Sequence, residues 1–159
     1  MRTETIAIYK FDELPDEAAR ETARQWWRGI SDYLWMEESR ESIDAFCSEF
    51  GVYLTSWSVG AFAPFEYATN AKNEHFRGRR LREFKRDHMP TGYCLDCSLW
   101  VTFYDEFKRT GDAKGAFDAA LWEGFKDWRN DLEWQLSDEY IDEHLTANEY
   151  EFDEDGRAI

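Results

Sequence analysis

The stretch Asp112–Leu136, DAKGAFDAALWEGFKDWRNDLEWQL, decides the fold class. Phe117, Leu121, Phe125, Trp128, Leu132 and Leu136 recur at three- and four-residue steps, which predicts a long helix with one large apolar face. A helix of that kind lays its stripe on other elements. Upstream, Leu95 to Arg109 is apolar enough for a buried helix or strand, and the length of the run favours a helix. Downstream, Ser137-Asp138-Glu139 restarts a helix with an N-cap serine and acids in the first turn. Tyr140, Ile141 and Leu145 form its inner face, and Asn148 offers a left-handed stop.

Nearer the N-terminus, Trp35–Phe50 carries Met36, Ser39, Ile43, Phe46, Cys47 and Phe50 on one helical face, with Gly51 as its stop. Another helix opens at Pro15, suited to the first helical position, with Asp16 and Glu17 at the positive end of the dipole. Leu14, Ala18, Thr22, Ala23, Trp26, Trp27 and Ile30 are its apolar side. Residues 5–11 and 52–59 are rich in β-branched and aromatic residues, and 149–152 alternates charged with aromatic. Residues 60–75 read as loop. Asp155-Gly156 is a hairpin-type turn, so the last strand can pair with the first or fold back on Arg157–Ile159. The expectation is a single acidic α+β domain over residues 1–159. It is mainly helical, with a small antiparallel sheet formed by the N-terminal, central and C-terminal strands.

Charge narrows the function. Nineteen Lys and Arg stand against 34 Asp and Glu, a formal net charge of −15, while aromatic residues make up 18%. That aromatic supply excludes a disordered acidic tail, and the charge argues against direct nucleic-acid binding. No apolar run approaches the length of a membrane span, and no charged-then-apolar leader opens the sequence. With an odd count of three cysteines there is no disulfide framework, and a cytoplasmic protein is expected. Cys94-Leu95-Asp96-Cys97 lacks a second ligand pair for zinc, so Cys47, Cys94 and Cys97 read as packing residues. No metal and no cofactor are expected.

The acids are unevenly spread. Between Ser137 and Asp155 stand Asp138, Glu139, Asp142, Glu143, Glu149, Glu151, Asp153, Glu154 and Asp155, with no Lys or Arg among them. Asp12, Glu13, Asp16 and Glu17 make a second stripe. A solvated face is the plain explanation. The sharper one is a partner-binding surface, since a field of carboxylates attracts and steers basic surfaces. Residues 77–86 form one basic island, expected to lie on a helix and pair with surplus acids. Phosphate loops, nucleophile elbows, zinc-protease motifs and calcium loops are absent, and no enzyme is expected.

Two segments carry a resemblance. Ile8–Arg20, with its FDELPDEA helix start, and Ser137–Phe152 with the following Asp155-Gly156, are similar to a loosely defined group of small acidic bacteriophage and mobile-element proteins. Gly92–Cys97 resembles that group too. The resemblance implies a phage or prophage origin and transfers no catalytic residue. By analogy of class it suggests an inhibitor of a host defence system of the CRISPR or restriction type. Such a protein would dock on the basic surface of a nucleic-acid-binding protein, partly as a DNA mimic, without touching nucleic acid or membrane itself. A homo-oligomer is left open. The alternatives are a phage regulatory or assembly protein acting through an aromatic interface at Trp35, Trp57 or Trp100, and a metal or redox protein centred on Cys94 and Cys97.

Overall fold

A computed structural model describes all residues from Met1 to Ile159. Five helices and four short strands follow one another: β1 (Tyr9–Lys10), α1 (Glu17–Ile30), α2 (Met36–Ser48), β2 (Leu54–Ser58), β3 (Glu66–Thr69), α3 (Leu95–Thr110), α4 (Ala113–Gln135), α5 (Asp138–Ala147) and β4 (Glu151–Phe152). The fold is α+β and mainly helical, as the periodicity predicts. Contacts gather the chain into two compact units, Met1–Tyr33 with Trp134–Ile159, and Leu34–Glu133.

In the first unit β1 pairs antiparallel with β4, Tyr9 opposite Phe152 and Lys10 opposite Glu151. Phe152 also bridges back to Ala158, so both pairings open to the last strand occur at once. Beneath them Phe11, Leu14, Ala19, Ala23, Ile141, Leu145 and Phe152 form the core. Asp16, not Pro15, begins α1: its carboxylate accepts the Ala19 N–H at 2.8 Å as an N-cap. Ser137 caps α5 in the same way through the Tyr140 N–H. Asn148 does not take the left-handed stop. Its side-chain amide donates to the His144 carbonyl at 2.8 Å, holding it at φ −97°, and Glu149 makes the left-handed turn at φ 56°.

The second unit is an aromatic core. Phe46 stacks on Phe117 at 5.2 Å and meets Trp100 edge-on at 5.0 Å, and Phe50 meets Phe103 at 5.0 Å. Gly124 lets α4 close on its neighbours, since a Cβ there would lie 2.5 Å from Leu99 Cδ2 and 3.2 Å from Ile43 Cδ1. The central strand departs from expectation. β2 joins β3 in a separate two-stranded sheet, not the N- and C-terminal strands. That sheet lies on α4, with Trp57 stacked on Trp128 at 5.2 Å and Tyr67 on Phe125 at 4.5 Å. β3 lies in the stretch read as loop, and the alternation of Phe65, Tyr67 and Thr69 with Glu66 and Ala68 was its signal.

Two further expectations change. The basic island is not a helix. Phe76 and Phe84 anchor it in the core, and a short 3₁₀ turn at Leu81–Glu83 is its one regular piece. Crowded like charges and Gly78 at φ 75° give a helix no apolar stripe to bury there. Arg79 pairs with Glu83 at 3.5 Å and Arg86 with Asp105 at 2.9 Å, while Arg77, Arg80, Arg82 and Lys85 stay exposed without an ion pair. Of the cysteines, Cys47 is a packing residue, but Cys94 and Cys97 are exposed. The buried row of α3 is Leu95, Asp96, Leu99, Trp100, Phe103 and Phe107, which leaves positions 94 and 97 on the outer side.

Two measurements check this arrangement. At pH 8 in native buffer, Ellman's reagent should titrate two thiols, with the third reacting only on unfolding, because burial pushes the Cys47 thiol up to about 12. Gly156→Ala should lower stability by about 2 kcal/mol or more in a urea melt. Gly156 sits at φ +82°, and a Cβ there would lie 1.9 Å from the Ala19 carbonyl oxygen.

Candidate functional site

The first unit holds 6 of the basic residues against 16 acids, net −10 over 59 residues; the second holds 13 against 18, net −5 over 100. Acidity is therefore concentrated, and the predicted partner-binding residues all lie in the first unit. The structure divides them into distinct groups.

One group is structural. Arg24 is 6% exposed, and its guanidinium meets Asp142 bidentately, Nε to Oδ1 at 2.6 Å and Nη2 to Oδ2 at 2.8 Å. It also holds Glu17 at 2.5 Å and Glu21 at 3.3 Å. One helical turn on, Arg28 pairs with Asp138 and donates to the Leu136 carbonyl at 3.1 Å. Arg24 and Arg28 stand four residues apart on α1, as Asp138 and Asp142 do on α5, so two rows of opposite sign zip the helices together, while Arg20 a turn earlier pairs with Glu17 on its own helix. Asp142 first, with Glu17 and Glu21 behind it, raises the Arg24 pKa, which keeps that guanidinium charged throughout. Arg24 and then Arg20 hold the Glu17 carboxyl below its usual range.

A second group serves the backbone or short pairs. Asp16 caps α1. Glu13 accepts the Lys10 N–H at 2.8 Å, and Asp153 accepts the N–H groups of Asp155 and Arg157 at 3.0 and 2.9 Å. Glu149 pairs with Lys10 at 2.9 Å and Asp155 with Arg157 at 3.6 Å, both exposed. What remains is Asp12, Glu139, Glu143, Glu151 and Glu154, exposed and without an ion pair. On α5 the division follows helical geometry: positions 138 and 142 face α1, while 139 and 143, about 100° around the axis, face away.

Sequence reasoning missed an open cleft of about 410 Å³ in the second unit, bordered by Trp35, Glu38, Tyr93, Cys94, Asp127 and Trp128 among others. Trp35 is 61% exposed at the α2 N-cap and takes φ 66°, a strained conformation for a bulky residue. Ser98 donates to Asp127 on the cleft wall. Behind it, Asp96 is fully buried, with Oδ2 accepting Thr91 N, Thr91 Oγ1 and Gly92 N at 2.8–2.9 Å. The other carboxylate oxygen of Asp96 has no partner. Trp57 is half-buried and Trp100 fully buried, so of the three tryptophans named for an aromatic interface, Trp35 alone is exposed. No group of three or more His, Cys, Asp or Glu side chains is placed to hold a metal. No helix is long and apolar enough to cross a membrane.

Comparison with family models, with curated proteins and with solved structures gives no match.

Arg24→Met should destabilise the protein by about 2 kcal/mol in urea, less than the 3–5 of a fully enclosed pair, because Asp142 keeps a third of its side chain in water. Glu17 adds a pH signature. Its folded pKa is depressed, so its contribution is present above the unfolded value near 4.5 and is lost as pH falls through the folded one. Glu17→Gln should therefore be less stable than the parent at pH 6, with the difference closing at the acid end of a pH series of urea melts.

Proposed function

We propose that the protein acts by binding another protein, with the net −10 unit as its docking surface and a cationic, nucleic-acid-binding surface as its target. The observation that carries this reading is the surplus left after internal pairing. Five of the unit's six basic residues are already engaged with carboxylates. Arg2 alone is outside these ion pairs, and Glu139, Glu143, Glu151 and Glu154 are presented to solvent. Uncompensated like charge costs stability and accelerates encounter with a positive partner. Carboxylates then stand where phosphates would. The contact set is smaller than sequence suggests, because Asp138, Asp142 and Glu17 are held by arginines. The proposed role, suggested by the resemblance of both chain ends to phage proteins and supported by this surplus, is non-catalytic inhibition of a host defence system inside a bacterial cytoplasm.

Immobilised protein incubated with a bacterial lysate tests the reading. The retained proteins should be enriched in DNA- or RNA-binding proteins, be displaced by duplex DNA, and elute as salt rises from about 0.1 to about 0.5 M. The quadruple charge reversal Glu139→Lys, Glu143→Lys, Glu151→Lys, Glu154→Lys should abolish retention while the fold persists by circular dichroism. Retention that survives both salt and charge reversal contradicts the proposal. It would favour the alternative interface, for which the exposed Trp35 speaks.

A further inference from the structure

We infer that the cleft beside Trp35 binds a small organic cation, a primary ammonium or guanidinium on a compact apolar body. This inference is independent of the docking surface, which lies on other residues. Its starting point is the composition of the wall. Trp35 and Tyr93 supply exposed aromatic surface in front of the buried Trp128, Glu38, Asp127 and Asp131 supply carboxylates, and no Lys, Arg or His borders the opening. Cations are attracted to aromatic faces and to carboxylates alike, whereas an anionic ligand would meet the repulsion of these carboxylates with no cationic side chain to offset it. Glu38 makes no ion pair, and Asp127 is held by the neutral hydroxyl of Ser98. Its charge is oriented without being neutralised.

Two further observations point to a built site. The first is Trp35. A bulky residue in the left-handed region carries backbone strain, and here its indole is left in water, so local packing does not explain its position. What the conformation achieves is an aromatic face on the border of the cleft. The second is the support behind it. Buried Asp96 ties down the Thr91–Gly92 backbone, and Thr91 in turn meets the buried hydroxyl of Ser42 at 3.0 Å. Gly92, Tyr93 and Cys94 all border the cleft, so that loop is held in place by a three-residue polar network. A volume of about 410 Å³ is in the range of small-molecule sites and suits a free ligand of one ring or a short chain.

Cys94 gives the site an internal reporter, because its exposed thiol is on the border. In the full chain carrying Cys97→Ser, Cys94 is the one exposed cysteine. Its alkylation by N-ethylmaleimide should be slowed at least fivefold by saturating benzylamine or agmatine. Benzyl alcohol and benzoate, matched in shape to benzylamine, test the role of charge. Calorimetry should show the alcohol at least tenfold weaker than the amine and the carboxylate without binding. Asp127→Asn should weaken benzylamine about tenfold. Trp35→Gly removes the ring while relaxing the backbone, so it should weaken the amine with no fall in melting temperature. A lysine-containing tripeptide distinguishes sources: binding tighter than that of both free amines would assign the cleft to a partner's side chain and overturn the small-molecule inference. Equal affinity for amine and alcohol, or no protection of Cys94 by either amine, would overturn it as well.

Discussion

The contact between Arg24 and Asp142 is the constraint on which the acidic unit depends. A unit with ten more acids than bases resists compaction, and its core of seven buried residues is modest. Arg24 answers this by placing one buried guanidinium against carboxylates from both α1 and α5. Burying a cation is expensive when it is alone and tolerable when every donor has an acceptor. Arg28 repeats the arrangement one turn along the helix. The same carboxylates that make the chain acidic are thus divided by the periodicity of α5 into those that hold the fold and those that face outward.

The second unit rests on a different force. Its core is ring against ring, with Phe46, Phe50, Trp100, Phe103 and Phe117 in mutual contact and the β2–β3 sheet pressed on α4 through Trp57 and Tyr67. Such a core needs little help from charge, and some of its acids are left outside ion pairs. Glu38 and Asp127 border a cleft instead of pairing. The basic loop shows the same economy: Arg79 lies over the rings of Phe84 and Phe50, at 4.8 and 5.3 Å, as packing material.

The helices were legible in the sequence because their stripes repeat over many residues, as Phe117 to Leu132 do. The hairpin at Gly156 and the cap at Ser137 were legible because each needs a particular residue type. Pairing partners were harder to read. Nothing local in residues 54–58 says that 66–69, and not 9–10, will lie beside them, since that choice is made by where Trp57 and Tyr67 find α4. The exposed cysteines followed from a one-residue question of phase: Leu95 and Asp96 turn inward, so Cys94 and Cys97 cannot. Trp35 was visible as an aromatic residue, but its left-handed backbone was not. Which carboxylates are free depends on how α1 is set against α5, and no count of charge along the chain contains that information.

The division of α5 into a holding row and a free row is tested most directly by comparing two charge reversals for stability in urea, Asp142→Lys and Glu143→Lys. They are neighbours with the same change in net charge. The account predicts that Asp142→Lys loses about 2 kcal/mol or more, by setting a second cation against Arg24, while Glu143→Lys is neutral or slightly stabilising. Equal losses from the two reversals would contradict it.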